Sequence, residues 1–209
     1  MNYDTNNLEN ALENLYEDLN GVFLENIIKT LIYYLKNNSI SFRNIEKIVS
    51  EDVIDLLLFL NEKKILIPQK SSHGTLEWGD ISLNPNPFET YRMPQITKLL
   101  MQKVQETKVW NLKKVITDKF KQIGDPNYQK MPSLIKQMYR ISQNHLINGT
   151  QIREICCEQG VEERIDSIIS ELKGIGIMSP TITRSLFSSV RSKSPQYELN
   201  PLLFKLYEQ

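Results

Sequence analysis

The amino-acid sequence predicts a mostly helical protein with small β-strand elements, an α+β fold built from two copies of one domain. Three observations support this class: apolar residues recur at helical spacing along most of the chain, two long segments match each other, and each segment closes with a short apolar strand pattern. The 209 residues are 40% hydrophobic and 24% charged, which is enough apolar sequence for a buried core. The 25 basic and 25 acidic side chains balance, so a uniformly cationic nucleic-acid binder is not expected.

An acidic amphipathic helix is predicted first, within residues 1–21. Residues 1–28 contain six acidic side chains and no basic one. The apolar residues of this segment repeat at the spacing of one helix face; they are Leu8, Ala11, Leu12, Leu15 and Leu19. The segment is therefore expected to pack through one face and to present negative charge on the other.

An internal repeat then relates roughly residues 22–90 to residues 129–209. Apolar positions of the first half match at an offset of 107 residues, and later ones match after five extra residues in the second copy. Both copies contain the pattern L-N-P-x-x-F, which starts at Leu83 and at Leu199. The repeat predicts two domains, at residues 22–90 and 127–209.

Each copy is predicted to hold three helices followed by two short strands. In the first copy a long helix includes Leu24, a short helix follows Ser41 as its N-cap, and a third helix begins after Ser50. Apolar strands are expected at residues 65–67 and 76–83. We expect the third helices to bury Leu57 and Ile169, and the repeated ending to fold Phe88 and Phe204 back on the first helix of each copy.

Residues 91–126 are predicted to form a basic helical connector. Pro94 suits the first turn of a helix, and a second helix ends at Gly124. Residues 92–140 carry eleven basic and three acidic side chains. Two interpretations stay open: the connector pairs with the acidic N-terminal helix, or it binds an external anionic partner such as nucleic acid or an anionic membrane surface. The candidate contacts are Lys103, Lys108, Lys113, Lys114, Lys119 and Lys121, with Arg184, Arg191 and Lys193 in the second wing.

Catalytic, metal and cofactor signatures are not found in the sequence. The two histidines, His73 and His145, fall in a turn and near a helix end, and the adjacent Cys156 and Cys157 fit no zinc spacing. No dinucleotide, P-loop or hydrolase motif occurs. We therefore expect no enzyme, no catalytic residue, no bound metal or cofactor and no small-molecule substrate. The apolar runs are short and no signal peptide precedes them, which favours a reduced, cytoplasmic protein.

Three helices closed by a two-stranded ribbon resemble the winged-helix fold, a variant of the helix-turn-helix. In its tandem layout the chain is similar to the kleisin-binding accessory subunits of SMC condensins and to the winged-helix subunits of the ESCRT-II complex. That resemblance implies a non-enzymatic subunit that holds other proteins in a complex. No site residue is carried over, because no motif of either family is matched.

The third helices separate this role from DNA recognition. A DNA-reading winged helix inserts its third helix in the major groove, where carboxylates are repelled. Both third helices are acidic on their outer faces, and the first also carries apolar residues there. We therefore predict a protein-contact face at Leu58, Phe59, Glu162, Glu163 and Asp166. The alternative is a DNA-binding tandem winged-helix transcription regulator that uses the basic connector and the second wing.

Overall fold

The computed structural model describes residues 3–49, 52–69, 78, 83, 85–181 and 194–208. The chain divides into two compact units. Unit 1 contains residues 1–72 and 81–112, and unit 2 contains residues 73–80 and 113–209. Helices predominate, and the strands form two small three-stranded antiparallel sheets, which confirms the predicted mostly-α, α+β class. None of the described helices is both long and apolar enough to span a bilayer.

Unit 1 contains five helices and three short strands among its described residues. In its sheet the last strand, β3, lies between the other two, β1 and β2. The elements, in chain order, are α1 (Thr5–Leu15), α2 (Gly21–Asn37), β1 (Ile40–Ser41), α3 (Phe42–Ile48), α4 (Val53–Glu62), β2 (Ile67–Pro68), β3 (Thr90–Arg92) and α5 (Gln95–Thr107).

Unit 2 repeats this order of elements. Its sheet again has the last strand, β6, between the other two, β4 and β5. The elements are α6 (Leu112–Gln122), α7 (Met131–Ile141), β4 (Leu146–Asn148), α8 (Gly149–Glu158), a 3₁₀ turn (Glu162–Arg164), α9 (Ile165–Gly174), β5 (Met178–Pro180), β6 (Gln196–Leu199) and α10 (Pro201–Glu208). The segment predicted as one connector thus contributes α5 to unit 1 and most of α6 to unit 2.

The strand register corrects one part of the predicted repeat. Tyr91 of β3 pairs with Ile40 and Pro68, so the strand that returns beside β2 lies at Thr90–Arg92 and not at residues 76–83. Most of residues 76–83 lie outside the described part of the chain, and Leu83 is in no strand. The shared L-N-P-x-x-F pattern therefore aligns positions that differ structurally, because only its second occurrence ends a central strand.

The two phenylalanines of that pattern differ accordingly. Phe204 lies on α10, and its ring contacts Tyr139 of α7 at a centroid distance of 6.2 Å, as predicted. Phe88 instead lies in the turn before β3 and is 81% exposed, so its predicted packing on the first helix is wrong. Its ring lies beside the Arg43 guanidinium, 5.1 Å from its centroid. The cause is the later position of β3, which leaves Phe88 in the connection.

Capping boxes fix the starts of α3 and α8. The Ser41 hydroxyl accepts a hydrogen bond from the backbone N–H of Asn44, and the Asn44 side chain accepts one from the backbone of Ser41. Asn148 and Gln151 exchange the same two bonds at α8, each 2.9 Å long. Each box satisfies two backbone donors that a helix start leaves open. The N-cap predicted at Ser41 is confirmed.

The third helices bury one face, but they do not bury the predicted pair equally. Leu57 in α4 is fully buried, together with Leu56 and Leu60. In α9 the buried residues are Ile168 and Leu172, whereas Ile169 is half-buried. The prediction is confirmed for Leu57 and wrong for Ile169, whose helix is turned so that one fewer position faces the core.

The acidic N-terminal helix is part of the core of unit 1. α1 packs against α2 and α5, and its residues Leu8 and Leu12 are fully buried. Polar contacts add to this packing: the Trp110 indole donates to the carbonyl of Ala11 at 2.9 Å, and the Asn7 amide donates to the carbonyl of Gln105 at 3.2 Å. α1 is therefore a structural element of unit 1 that α5 and its flank hold in place.

Candidate functional site

The outer face of α4 carries two exposed apolar side chains. Ile54 is 55% exposed and Leu58 is 49% exposed, although both are large aliphatic residues. They are four residues apart, which places them next to each other on one side of the helix. Asp52 and Asp55 lie on the same exposed side. The face thus combines an apolar pair with carboxylates and carries no cation of its own.

Phe59, predicted as part of this face, packs within unit 1 instead. Its ring makes edge-on contacts with Tyr16 and Phe23, at centroid distances of 5.5 Å and 5.9 Å. The Lys63 ammonium lies 5.9 Å from the ring centroid. This aromatic cluster leaves Phe59 only half-exposed. Its main role is to join α4 to α1 and α2, and Ile54 takes its place on the open face.

The corresponding region of unit 2 is acidic. Glu162 and Glu163 lie in the 3₁₀ turn before α9, and Asp166 lies in the first turn of that helix. All three side chains are exposed. They favour the positive end of the helix dipole, but they also repel a polyanion that approaches this helix start. The described outer faces of α4 and α9 therefore fit protein contact better than contact with DNA.

A buried ion network holds this helix start. Arg164 pairs with Asp125 at 2.6 Å and with Glu171 at 3.2 Å, and the Asp125 side chain is fully buried. One oxygen of each carboxyl, Oδ2 of Asp125 and Oε2 of Glu171, is buried with no donor among the described residues. A proton held between the two carboxyls satisfies both oxygens, and burial together with the neighbouring Asp125 raises the pKa of Glu171. The sequence gave no signal for this network, since Asp125 read only as a helix stop.

The basic residues of the predicted connector are shared between the two units. Lys103 and Lys108 belong to unit 1, where Lys103 pairs with Glu106 at 2.6 Å and Lys108 ends α5 in a left-handed conformation. The other four lie on α6 in unit 2. Arg184, Arg191 and Lys193 fall outside the described residues. The structure therefore supports a basic surface on α6 but does not describe the second wing.

The α6 lysines are mostly exposed. Lys113, Lys114 and Lys121 are exposed, and Lys119 is half-exposed with its ammonium 3.3 Å from the Gln122 amide oxygen. Lys114 also makes an i,i+4 ion pair of 3.8 Å with Asp118. Such exposed pairs contribute little to stability. The lysines are therefore available for an anionic partner, and we call this set the α6 basic face.

A cavity that the sequence did not predict lies in unit 2, between α7 and α10. It encloses about 280 Å³. Aromatic rings form its apolar wall, and two cationic side chains lie at its edge. Its lining includes Lys136, Tyr139, Arg140, Ser142, Phe204 and Tyr207.

The polar chemistry of this cavity is unevenly satisfied. The Tyr139 hydroxyl donates to the carbonyl of Asn200 at 3.0 Å, and that of Ser142 donates to the carbonyl of Tyr139 at 2.8 Å. The Tyr207 hydroxyl is buried and has no hydrogen-bond partner among the described residues. Burial raises the pKa of Tyr207, so the hydroxyl stays a neutral donor. Buried donors without partners are rare in folded proteins, which makes this one notable.

No metal-binding cluster occurs in the described part of the chain, where no three His, Cys, Asp or Glu side chains come together. His145 contacts the Phe204 ring edge-on at 4.8 Å, and His73 is outside the described residues. Cys156 is buried and Cys157 is exposed, and both are free thiols. Burial raises the pKa of the Cys156 thiol to about 11, which disfavours a reactive thiolate.

Comparison with known proteins gives a family but no function. One protein-family model matches residues 6–209, and the description of that family names no activity, ligand or partner. No curated protein and no solved structure matches the chain. The matched range runs from α1 to the end of α10, so it spans both copies of the repeated arrangement.

Proposed function

The chain belongs to the family whose model matches residues 6–209, and we propose that it is a non-enzymatic, cytoplasmic assembly subunit that holds other proteins in a complex. The tandem winged-helix interpretation is part of this proposal. It is supported by the order of helices and strands in each unit and by the central position of the last strand in each sheet.

The exposed pair Ile54 and Leu58 carries the proposal. Two neighbouring aliphatic side chains, each about half exposed, mark a surface whose burial against a partner is favourable. The pair lies on α4, the helix that would read DNA in a winged-helix DNA-binding protein. Asp52 and Asp55 beside it oppose contact with phosphates. A protein partner with an apolar patch and basic rim fits this surface.

Affinity purification of the tagged full chain from its native cells tests this role. Ile54→Glu/Leu58→Glu is compared with the wild type by quantitative mass spectrometry, and Leu146→Glu, an exposed apolar residue outside α4, is the matched control. We expect at least one protein to be lost from the Ile54→Glu/Leu58→Glu sample and kept with the control. Circular dichroism confirms that both variants fold. An unchanged set of co-purified proteins contradicts the proposal.

The α6 basic face supports a second candidate, DNA or anionic-membrane binding. Its test is fluorescence anisotropy with random duplex DNA at low and physiological salt, and sedimentation with anionic lipid vesicles. If this function holds, Lys113→Gln/Lys114→Gln/Lys121→Gln weakens binding and flattens the dependence of the logarithm of the binding constant on the logarithm of salt concentration, because fewer counterions are released. Tight, sequence-selective DNA binding by the intact wild type at physiological salt would favour a transcription regulator over an assembly subunit.

A further inference from the structure

The two units treat equivalent grooves differently. In unit 1 the groove between α2 and α5 is covered by α1, which packs on both helices. The Tyr3 hydroxyl, just before α1, donates to the carbonyl of Leu35 near the end of α2 at 3.2 Å. The backbone N–H of Asp4 donates to the Gln105 side chain at 2.7 Å. An acidic amphipathic helix and an aromatic side chain thus occupy this groove.

The cavity of unit 2 lies at the matching positions. α7 follows α2 at an offset of 107 residues, with the same buried spacing, and α10 follows α5 at an offset of 106. Ser142 at the cavity therefore corresponds to Leu35, and Lys136 corresponds to Lys29. Every residue that lines the cavity lies on α7, on α10 or immediately after α7. Unit 2 leaves open the place that Tyr3 and the start of α1 take in unit 1.

The chemistry of the open groove is complementary to a helix like α1. Lys136 and Arg140 lie four residues apart on α7, and both are exposed at the edge of the cavity. The aromatic wall offers a site for a ring, and the Tyr207 hydroxyl offers a donor that has no partner. One carboxylate, that of Glu208, lines the cavity, and it pairs with Lys205 at 3.7 Å.

We propose that the groove between α7 and α10 binds an acidic amphipathic helix of a protein partner, with an aromatic side chain of that helix in the cavity. Carboxylates of the partner helix contact Lys136 and Arg140, and a polar atom of its first turn accepts the Tyr207 hydroxyl bond. The inference rests on the proposed assembly function, and it names the kind of partner that unit 2 holds.

The test uses an acetylated, fluorescent synthetic peptide of residues 1–19 as the probe, because α1 shows the required chemistry. The protein is the full chain, and binding is followed by anisotropy at physiological salt. We expect saturable one-to-one binding that Lys136→Glu/Arg140→Glu weakens by roughly tenfold or more. Tyr207→Phe weakens it by a smaller factor. Lys29→Glu is the matched control in unit 1, and it leaves the affinity within about twofold.

Several results would overturn the inference. Equal binding of a scrambled peptide of the same composition means that charge alone attracts the probe. A loss as large with Lys29→Glu means that the probe displaces α1 in unit 1. A wild-type dimer that Lys136→Glu/Arg140→Glu dissociates means that a second copy, not a different protein, fills the groove. Absence of binding to a folded wild type removes the groove as a helix site.

The two proposals fail separately. The purification test depends on Ile54 and Leu58 of α4, whereas the peptide test depends on α7 and α10. Loss of partners from Ile54→Glu/Leu58→Glu with no peptide binding keeps the assembly role and removes this groove. Peptide binding as expected with an unchanged set of co-purified proteins keeps the groove and removes the α4 surface.

Discussion

Tyr91 and Tyr197 hold the same position in the two sheets. Each lies on the central strand, opposite an isoleucine on one side and a proline on the other. The pairs are Ile40 and Pro68 for Tyr91, and Ile147 and Pro180 for Tyr197. This relationship aligns the two copies at an offset of 106 residues for their last strand and helix. It extends the duplication to α5 and α10, which the sequence pattern alone had not matched.

Removal of a tyrosine hydroxyl should have opposite consequences at two buried sites. The Tyr91 hydroxyl is buried without a partner, whereas that of Tyr139 donates to the carbonyl of Asn200. Tyr91→Phe should therefore leave the free energy of unfolding unchanged or raise it. Tyr139→Phe should lower it by about 1 kcal/mol, because a hydrogen bond to a buried carbonyl is lost. Urea unfolding of both variants checks this, and a larger loss for Tyr91→Phe would contradict it.

The third helices give a second matched comparison. Leu57→Ala and Ile168→Ala remove fully buried side chains, and each should lower the free energy of unfolding of its unit by about 2–5 kcal/mol. Ile169→Ala removes a half-buried side chain and should cost less than Ile168→Ala. Thermal unfolding monitored by circular dichroism measures all three. The orientation of α9 would be wrong if Ile169→Ala proved the more damaging of the two α9 variants.

The Arg164 network predicts a pH dependence. Arg164→Met leaves Asp125 and Glu171 without their cation and should cost up to about 3 kcal/mol, because Asp125 is fully buried while Arg164 keeps some solvent contact. The pKa of Glu171 is raised in the folded state, so protonation of Glu171 favours folding. That contribution is present below the ordinary pKa of 4.5 and is lost as pH rises through the raised value.

Glu171→Gln tests the sign of this effect, since glutamine mimics the protonated acid. Above the raised pKa the variant should be at least as stable as the wild type, and its stability should change less between pH 4 and pH 7, the region of ordinary carboxyl titration. Urea unfolding across this range gives the comparison. A wild type that gains more stability than the variant as pH rises would contradict the account.

The capping boxes predict equal losses at equivalent helix starts. Ser41→Ala and Asn148→Ala each remove the side chain that accepts a backbone N–H in the first turn of α3 or α8. Each should lower the free energy of unfolding by about 1 kcal/mol. Thr150→Ala is the control beside the second box, because the Thr150 side chain is exposed and Asn148 is the cap. Urea unfolding in which Thr150→Ala costs as much as Asn148→Ala would argue against the box.

Local patterns predicted much of the fold because they act over a few residues. The helix at Leu24, the cap at Ser41 and the buried face of α4 follow from spacing and capping chemistry. The last strand of unit 1 did not follow, because strand pairing joins Tyr91 to residues far away in sequence. A repeated L-N-P-x-x-F pattern was a weaker guide than the pairing of one tyrosine with an isoleucine and a proline.

The candidate surfaces were less predictable than the fold. Leu58 was identified because an apolar residue on an outer helix face is visible in the sequence, but Phe59 beside it is held by Tyr16 and Phe23 from two other helices. The cavity near Tyr207 depends on how α7 and α10 pack together. Asp125 became buried only because Arg164, 39 residues later, reaches it. Such tertiary contacts leave no local pattern.

Site-specific photo-crosslinking from position 58 tests the central claim most directly. A photoreactive amino acid replaces Leu58 in the full chain in its native cells, and the control chain carries it at Leu146, which is also exposed. The assembly account predicts a discrete protein adduct from position 58 that is absent from position 146. An adduct with nucleic acid from position 58, or no protein adduct from a folded and expressed chain, would contradict it.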